Sequence, residues 1–174
     1  DTNGKTYLAM NFVIGNNDNQ EALMAVEILE HLLLDTPAAP LKKAIIDAGV
    51  GQDVFGIFSS SLKQPTFSII VKNSSPDKKE LFEDVVNKTL NNLVKNGLDK
   101  ESVEGAINTK EFELREGDSG GYSKGLFYSI DVMKTWLYDG NPYDYLEYEQ
   151  MLANLKKLVS NGYLEDIIKR YILD

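Results

Sequence analysis

The chain has 174 residues, no cysteine, one histidine and a formal charge of −9 from 18 basic and 27 acidic side chains. That length suits a single domain with one core, and the missing cysteines exclude disulfides, thiolate catalysis and cysteine-ligated zinc. Basic residues scattered among an acid excess argue against nucleic acid, and no apolar run reaches the length of a membrane span.

The chain opens with DTNGKTYLAMNFVIG and enters a strand almost at once: Leu8, Met10, Phe12 and Ile14 alternate onto one face. GNNDNQ turns the chain and offers Asp18 or Asn19 as a helix N-cap. Ala22, Ala25, Val26, Leu29, Leu32 and Leu33 recur at helical spacing, which predicts a long amphipathic helix broken by DTPAAP. LKKAIIDAG is a short helix ending at Gly49. DVFGIFSSSL and PTFSIIVKN are strands separated by two or three residues, and so an antiparallel hairpin. Pro65 suits the first position of the second, because it cannot donate to a ladder.

Beyond the hairpin the pattern is helical. Ser75-Pro76 is an N-cap followed by Pro at N1, and Leu81, Phe82, Val85, Val86, Leu90, Leu93 and Val94 form an apolar stripe. Gly97 ends that helix and Asp99 starts the charge-laced KESVEGAINTKEFELRE. GDSGGYSKG is a glycine-rich loop. It lacks the Gly-Lys-Ser/Thr ending of a phosphate loop and joins two helices, so a hinge or surface loop is expected. Helices follow in LFYSIDVMKTWLYDG, NPYDYLEYEQMLANLKKLVSNG and YLEDIIKRYIL. The order β, α, α, β, β, then helices predicts an α+β fold, an antiparallel sheet with helices packed on one face. So few strands imply that a final strand is missing. The abrupt start and the end on a helical pattern both suggest a piece of a longer polypeptide.

One stretch carries a candidate chemistry. Glu27-Ile28-Leu29-Glu30-His31 is one letter from His-x-x-Glu-His, the inverted zinc motif of a peptidase class. Glu27, Glu30 and His31 share a helix flank at i, i+3 and i+4. That chemistry needs two histidines one turn apart, a glutamate as base and a third, acidic ligand. Here the first ligand position is Glu27, and the chain holds no second histidine. The motif is degenerate: no metal ligand, catalytic residue or cofactor site is expected, and a weak Glu27–His31 pair on a helix flank is the plain reading. No Gly-x-Ser-x-Gly elbow supports serine hydrolysis. Ten rings crowd the last third, namely Tyr122, Phe127, Tyr128, Trp136, Tyr138, Tyr143, Tyr145, Tyr148, Tyr163 and Tyr171. Some must be core, and the excess predicts an interface face.

Five blocks in order, EILEHLLLDTPAAPLKKAIIDAGVGQDV, QPTFSIIVKN, LVKNGLDKESVEGAINTKEFELRE, YSKGL and TWLYDGNPYDYLE, resemble the second, non-catalytic domain of presequence-protease-type zinc peptidases of the insulinase/pitrilysin superfamily. The likeness runs from about Thr6 to Asp174. It implies a single non-catalytic domain over residues 1–174, one of four homologous α+β domains in a longer chain. Its two halves would close around a peptide chamber. Zinc and catalysis would lie in a different domain of the parent chain. The implied partners are that catalytic domain, the C-terminal half of the parent chain and the peptide substrate, with no nucleic acid and no membrane. If the source is bacterial, the cytoplasm is the expected compartment. The rival reading is a non-catalytic assembly or interaction protein of the same fold.

Overall fold

Alternation in TYLAMNFV forms strand β1 (Thr6–Val13) in the computed structural model, which describes residues 4–36, 38–117, 121 and 123–174. Asn19, one of the two expected caps, then accepts the Ala22 N–H at 3.1 Å and starts α1 (Gln20–Glu30). This helix runs on as a π turn, His31–Asp35. Pro40 opens α2 (Pro40–Asp47), and β2 (Asp53–Ser59) and β3 (Thr66–Ser74) form the expected antiparallel hairpin.

The sheet order is β1-β3-β2, antiparallel throughout, with Met10 opposite Ile69 and Val54 opposite Val71. No strand lies beyond β1 or β2 among the described residues. One face of the sheet is covered: Leu8, Met10, Phe12, Val54, Phe67, Ile69 and Val71 point into the core. The other face has Tyr7, Val13 and Ile57 exposed.

Ser75 departs from its expected role. Residues Pro76–Lys78 form a 3-10 turn without a side-chain cap, and the Ser75 hydroxyl accepts the Gly4 N–H instead. α3 (Lys79–Asn96) therefore begins at Lys79 and ends at Gly97, whose positive φ stops the helix. Asp99 caps α4 (Lys100–Glu116) through the Ser102 N–H at 2.9 Å, and Gly117 closes it in the left-handed region. Of the glycine-rich loop, residues 118–120 and Tyr122 lie outside the described residues. Ser123 caps α5 (Lys124–Trp136).

NPYDYLEYEQMLANLKKLVSNG is not one helix as expected. Residues 141–147 turn, with the Asn141 side chain accepting the Tyr143 N–H at 3.2 Å, and α6 spans only Tyr148–Val159. An Asn-Pro pair favours turn initiation, and here it outweighs the helical spacing after it. α7 (Tyr163–Ile168) follows Gly162 and runs on as a second π turn, Lys169–Leu173.

The first helix also differs from the sequence expectation of an amphipathic element. α1 buries Ala22, Leu23, Met24, Ala25, Val26, Ile28 and Leu29, because the sheet lies on one side and α4, α6 and α7 close over the other. It is the central rod of the core. Only a narrow flank, carrying Glu27 and Glu30 and continuing to His31, remains in partial contact with water.

Candidate functional site

That flank is where the degenerate motif falls, and α4 runs alongside it. Glu27 does not pair with His31. Its carboxylate accepts a 2.8 Å ion pair from Lys110 of α4, which also reaches Glu113 at 3.4 Å. His31 donates Nδ1–H one turn forward to Asp35 at 3.1 Å. The expected Glu27–His31 contact is thus replaced by two others, because α4 supplies Glu27 with an ammonium group at 2.8 Å.

Glu30 sits between them. Adding a Cβ to Gly56 of β2 would bring it within 2.8 Å of Glu30 Oε1 and 3.0 Å of Leu34 Cδ1, so the missing side chain makes room for both. Burial raises the Glu30 carboxyl above its ordinary range, and the nearby Asp35 and Glu27 charges add to this. The Phe58 backbone and Lys110 pull the other way without cancelling it. For Lys110, burial alone would lower the ammonium, but Glu27 and Glu113 outweigh it and hold the group above its usual value. The site is a buried-edge charge cluster in which one ammonium pairs with two carboxylates and lies near a third, Glu30.

A metal does not fit these residues. Zinc needs neutral imidazole and free carboxylate donors converging on one point, whereas the sole imidazole is committed to Asp35 and the first-position carboxylate to Lys110. Among the described residues, no three His, Cys, Asp or Glu side chains are grouped to hold a metal ion. Lys110 places a positive charge where such a cluster would need a cation.

Next to this cluster lies a cleft of about 800 Å³ between α1, α4, α5 and α6. Gln20, Glu27, Lys110, Asp131, Tyr145 and Met151 are among its walls. Tyr145 Oη is buried there with no hydrogen-bond partner among the described residues. Burial pushes its phenol up to about 12; nearby Gln20 opposes this, Glu27 and Asp131 add to it, and Ser60 lowers it least. Lys134 stands over the Tyr145 ring at 4.9 Å and pairs with Asp131 at 2.7 Å. Lys110, Asp131 and Lys134 were not legible as site residues. They belong to helices whose pairing with α1 has no local sequence signal.

The ten rings divide. Tyr128, Trp136 and Tyr143 are exposed, while Phe127, Tyr138, Tyr145, Tyr148, Tyr163 and Tyr171 are half-buried, and Tyr122 lies outside the described residues. No helix among the described residues is long and apolar enough to cross a membrane.

A family model described as the peptidase M16 inactive domain matches residues 1–110, well over half of the chain. The chain belongs to that family. Relatives of this inactive domain include Protein HypA of Clostridium perfringens, 50% identical over all of this chain and 18% of that protein. Presequence protease 1, chloroplastic/mitochondrial, of Arabidopsis thaliana is 31% identical over all of this chain and 17% of that protein. The inactive domain thus spans less than a fifth of the length of these relatives. Crystal structures of bacterial proteins share its fold. The inactive peptidase domain of a candidate zinc protease from Bordetella parapertussis superposes with a TM-score of 0.74 at 14% identity, covering 97% of this chain and 84% of that one. A protease from Helicobacter pylori gives 0.71 at 15%, covering 95% of this chain and 38% of that one.

Proposed function

We propose that this inactive domain is a structural and chamber-wall element of a longer zinc-dependent peptidase that degrades unfolded peptides, with zinc and catalysis in a different domain. The observation that carries the reading is the Glu27–Lys110 ion pair. It commits the first motif position to a cation and leaves the flank unable to present a ligand set. A presequence protease among the relatives supports the substrate class.

The helix-free face of the sheet suits the chamber wall. Tyr7, Val13 and Ile57 stand exposed there with half-buried Phe55 and Ile70, while Asn11 and Ser68 bond to each other at 2.7 Å. An extended peptide laid on that face would meet apolar patches interrupted by polar groups, which tolerates many sequences. The domain's partners would be the catalytic domain and the second half of the same polypeptide.

The test compares two proteins on one unstructured peptide. The longer polypeptide should cleave it and lose activity to a chelator, and the isolated 174 residues should not cleave it at all. An inactive longer polypeptide would favour the assembly-protein alternative; cleavage by the purified 174 residues would overturn the non-catalytic reading.

A further inference from the structure

Helix α5 is built inside out. The only residue it buries fully is a threonine, Thr135, and its inner side combines half-buried Phe127 and Val132 with polar groups. Asp131, with a side chain 13% exposed, pairs with Lys134, whose backbone carbonyl accepts the Asn17 side-chain amide. The opposite side carries Leu126, Ile130, Met133, Trp136 and Leu137, all between 38% and 63% exposed. A helix at the surface of a finished protein places these two sets the other way round.

The exposed residues are also spaced as a seam. Leu126, Ile130, Met133 and Leu137 fall at i, i+4, i+7 and i+11, the alternation of four and three that lets one helix receive the side chains of another. The seam is about 16 Å long at 1.5 Å per residue. A shallow groove of about 280 Å³ runs beside it, bounded by Ile130, Met133, Leu137 and Ser61. Its lining is apolar but for two serines and Lys134.

We infer that the α5 seam docks an amphipathic helix from the remainder of the same polypeptide. The inference rests on the proposed membership of a longer chain and adds which surface joins the domain to it. More than four fifths of the relatives' length lies outside the region this chain matches, so a covering element is at hand. Charge argues against the other occupants. α5 holds Lys124, Asp131 and Lys134, and residues 139–149 after it add Asp139, Asp144, Glu147 and Glu149 with no base. An amphipathic helix that lies on an anionic membrane needs a polar face rich in Lys and Arg, whereas α5 has two lysines, one of them paired with Asp131. A second copy would bring another net charge of −9 against the first. A helix with apolar residues at matching spacing and basic residues at its flanks meets both requirements.

The experiment places the photo-crosslinking residue benzoylphenylalanine at position 130 or 133 in the full-length polypeptide, with position 88 on the exposed side of α3 as control. After irradiation, positions 130 and 133 should cross-link within one polypeptide. Mass spectrometry should map the sites to residues at helical spacing elsewhere in that chain, and position 88 should give no such product. A species of doubled mass, a cross-link to a different protein, a cross-link to a strand or loop, or no cross-link above the position-88 control would each overturn the inference. Peptidase activity is read on the same samples. Free seam positions in an active enzyme sink the docking inference alone, and a captured helix in an inactive polypeptide sinks the peptidase reading alone.

Discussion

Lys110 settles the state of the motif flank, and its removal should show it. With Lys110→Ala, half-buried Glu27 is left without its cation and the nearby Glu30 without a compensating charge, at a cost of about 1–2 kcal/mol. Urea denaturation of the variant measures this; an unchanged midpoint would mean that the ion pair contributes nothing. Glu30 offers a second test with a defined sign. Its folded carboxyl titrates above the ordinary value of 4.5, so the folded state binds the proton more tightly. The favourable contribution is full below that value and is lost as pH rises through the raised folded value. Glu30→Gln should therefore be more stable than the parent at pH 7, with the difference closing towards pH 4. A variant less stable at pH 7 would contradict the raised titration. Zinc completes the residue-scale picture. After dialysis against a zinc buffer the chain should retain well under one ion per molecule, and a tight 1:1 complex lost on His31→Ala would overturn the assignment of a degenerate site. The absence of a second histidine was legible in the sequence. The cation that engages Glu27 was not, because Lys110 lies 79 positions beyond His31 and meets the flank only through helix packing.

Among the elements, the hairpin and the first strand were readable from alternation and from turn residues, since strands of this kind are fixed by local chemistry. The central burial of α1 was not. Its spacing looked amphipathic because Leu23, Met24 and Ile28 fill what a two-layer arrangement leaves as the outer side, and only α4, α6 and α7 together reveal that they are covered. The closeness of α1 to β2 depends on Gly56. Gly56→Ala would force Glu30 and Leu34 to move and should destabilise the chain by about 1–3 kcal/mol, as overpacking does. A thermal melt indistinguishable from the parent would show that the flank yields without strain. The aromatic count pointed towards α5 and its surroundings, but the rings were the weaker part of the signal. The aliphatic seam of Leu126, Ile130, Met133 and Leu137 was hidden because helical spacing alone does not say which side faces the core.

For the molecule as a whole, the fold and the family were both legible from the order of motif blocks, while the exposed apolar surfaces emerged only once the layers were assembled. The helix-free sheet face and α5 each carry several exposed apolar residues, where α3, α4 and α6 each expose a single large one, Leu81, Phe112 and Leu158. Under the proposed reading the sheet face would take a peptide and α5 a neighbouring helix, so that one domain would line a chamber and hold its place at once. The central claim is that this domain contributes position and surface, and no catalytic group, to a larger peptidase. The most direct measurement is the activity and bound zinc of the full-length polypeptide carrying Glu30→Gln with His31→Ala. Unchanged zinc content, with peptide cleavage within about twofold of the parent, is the predicted result. Loss of a zinc ion together with a fall in cleavage of a hundredfold or more would place catalysis on this flank and contradict the claim.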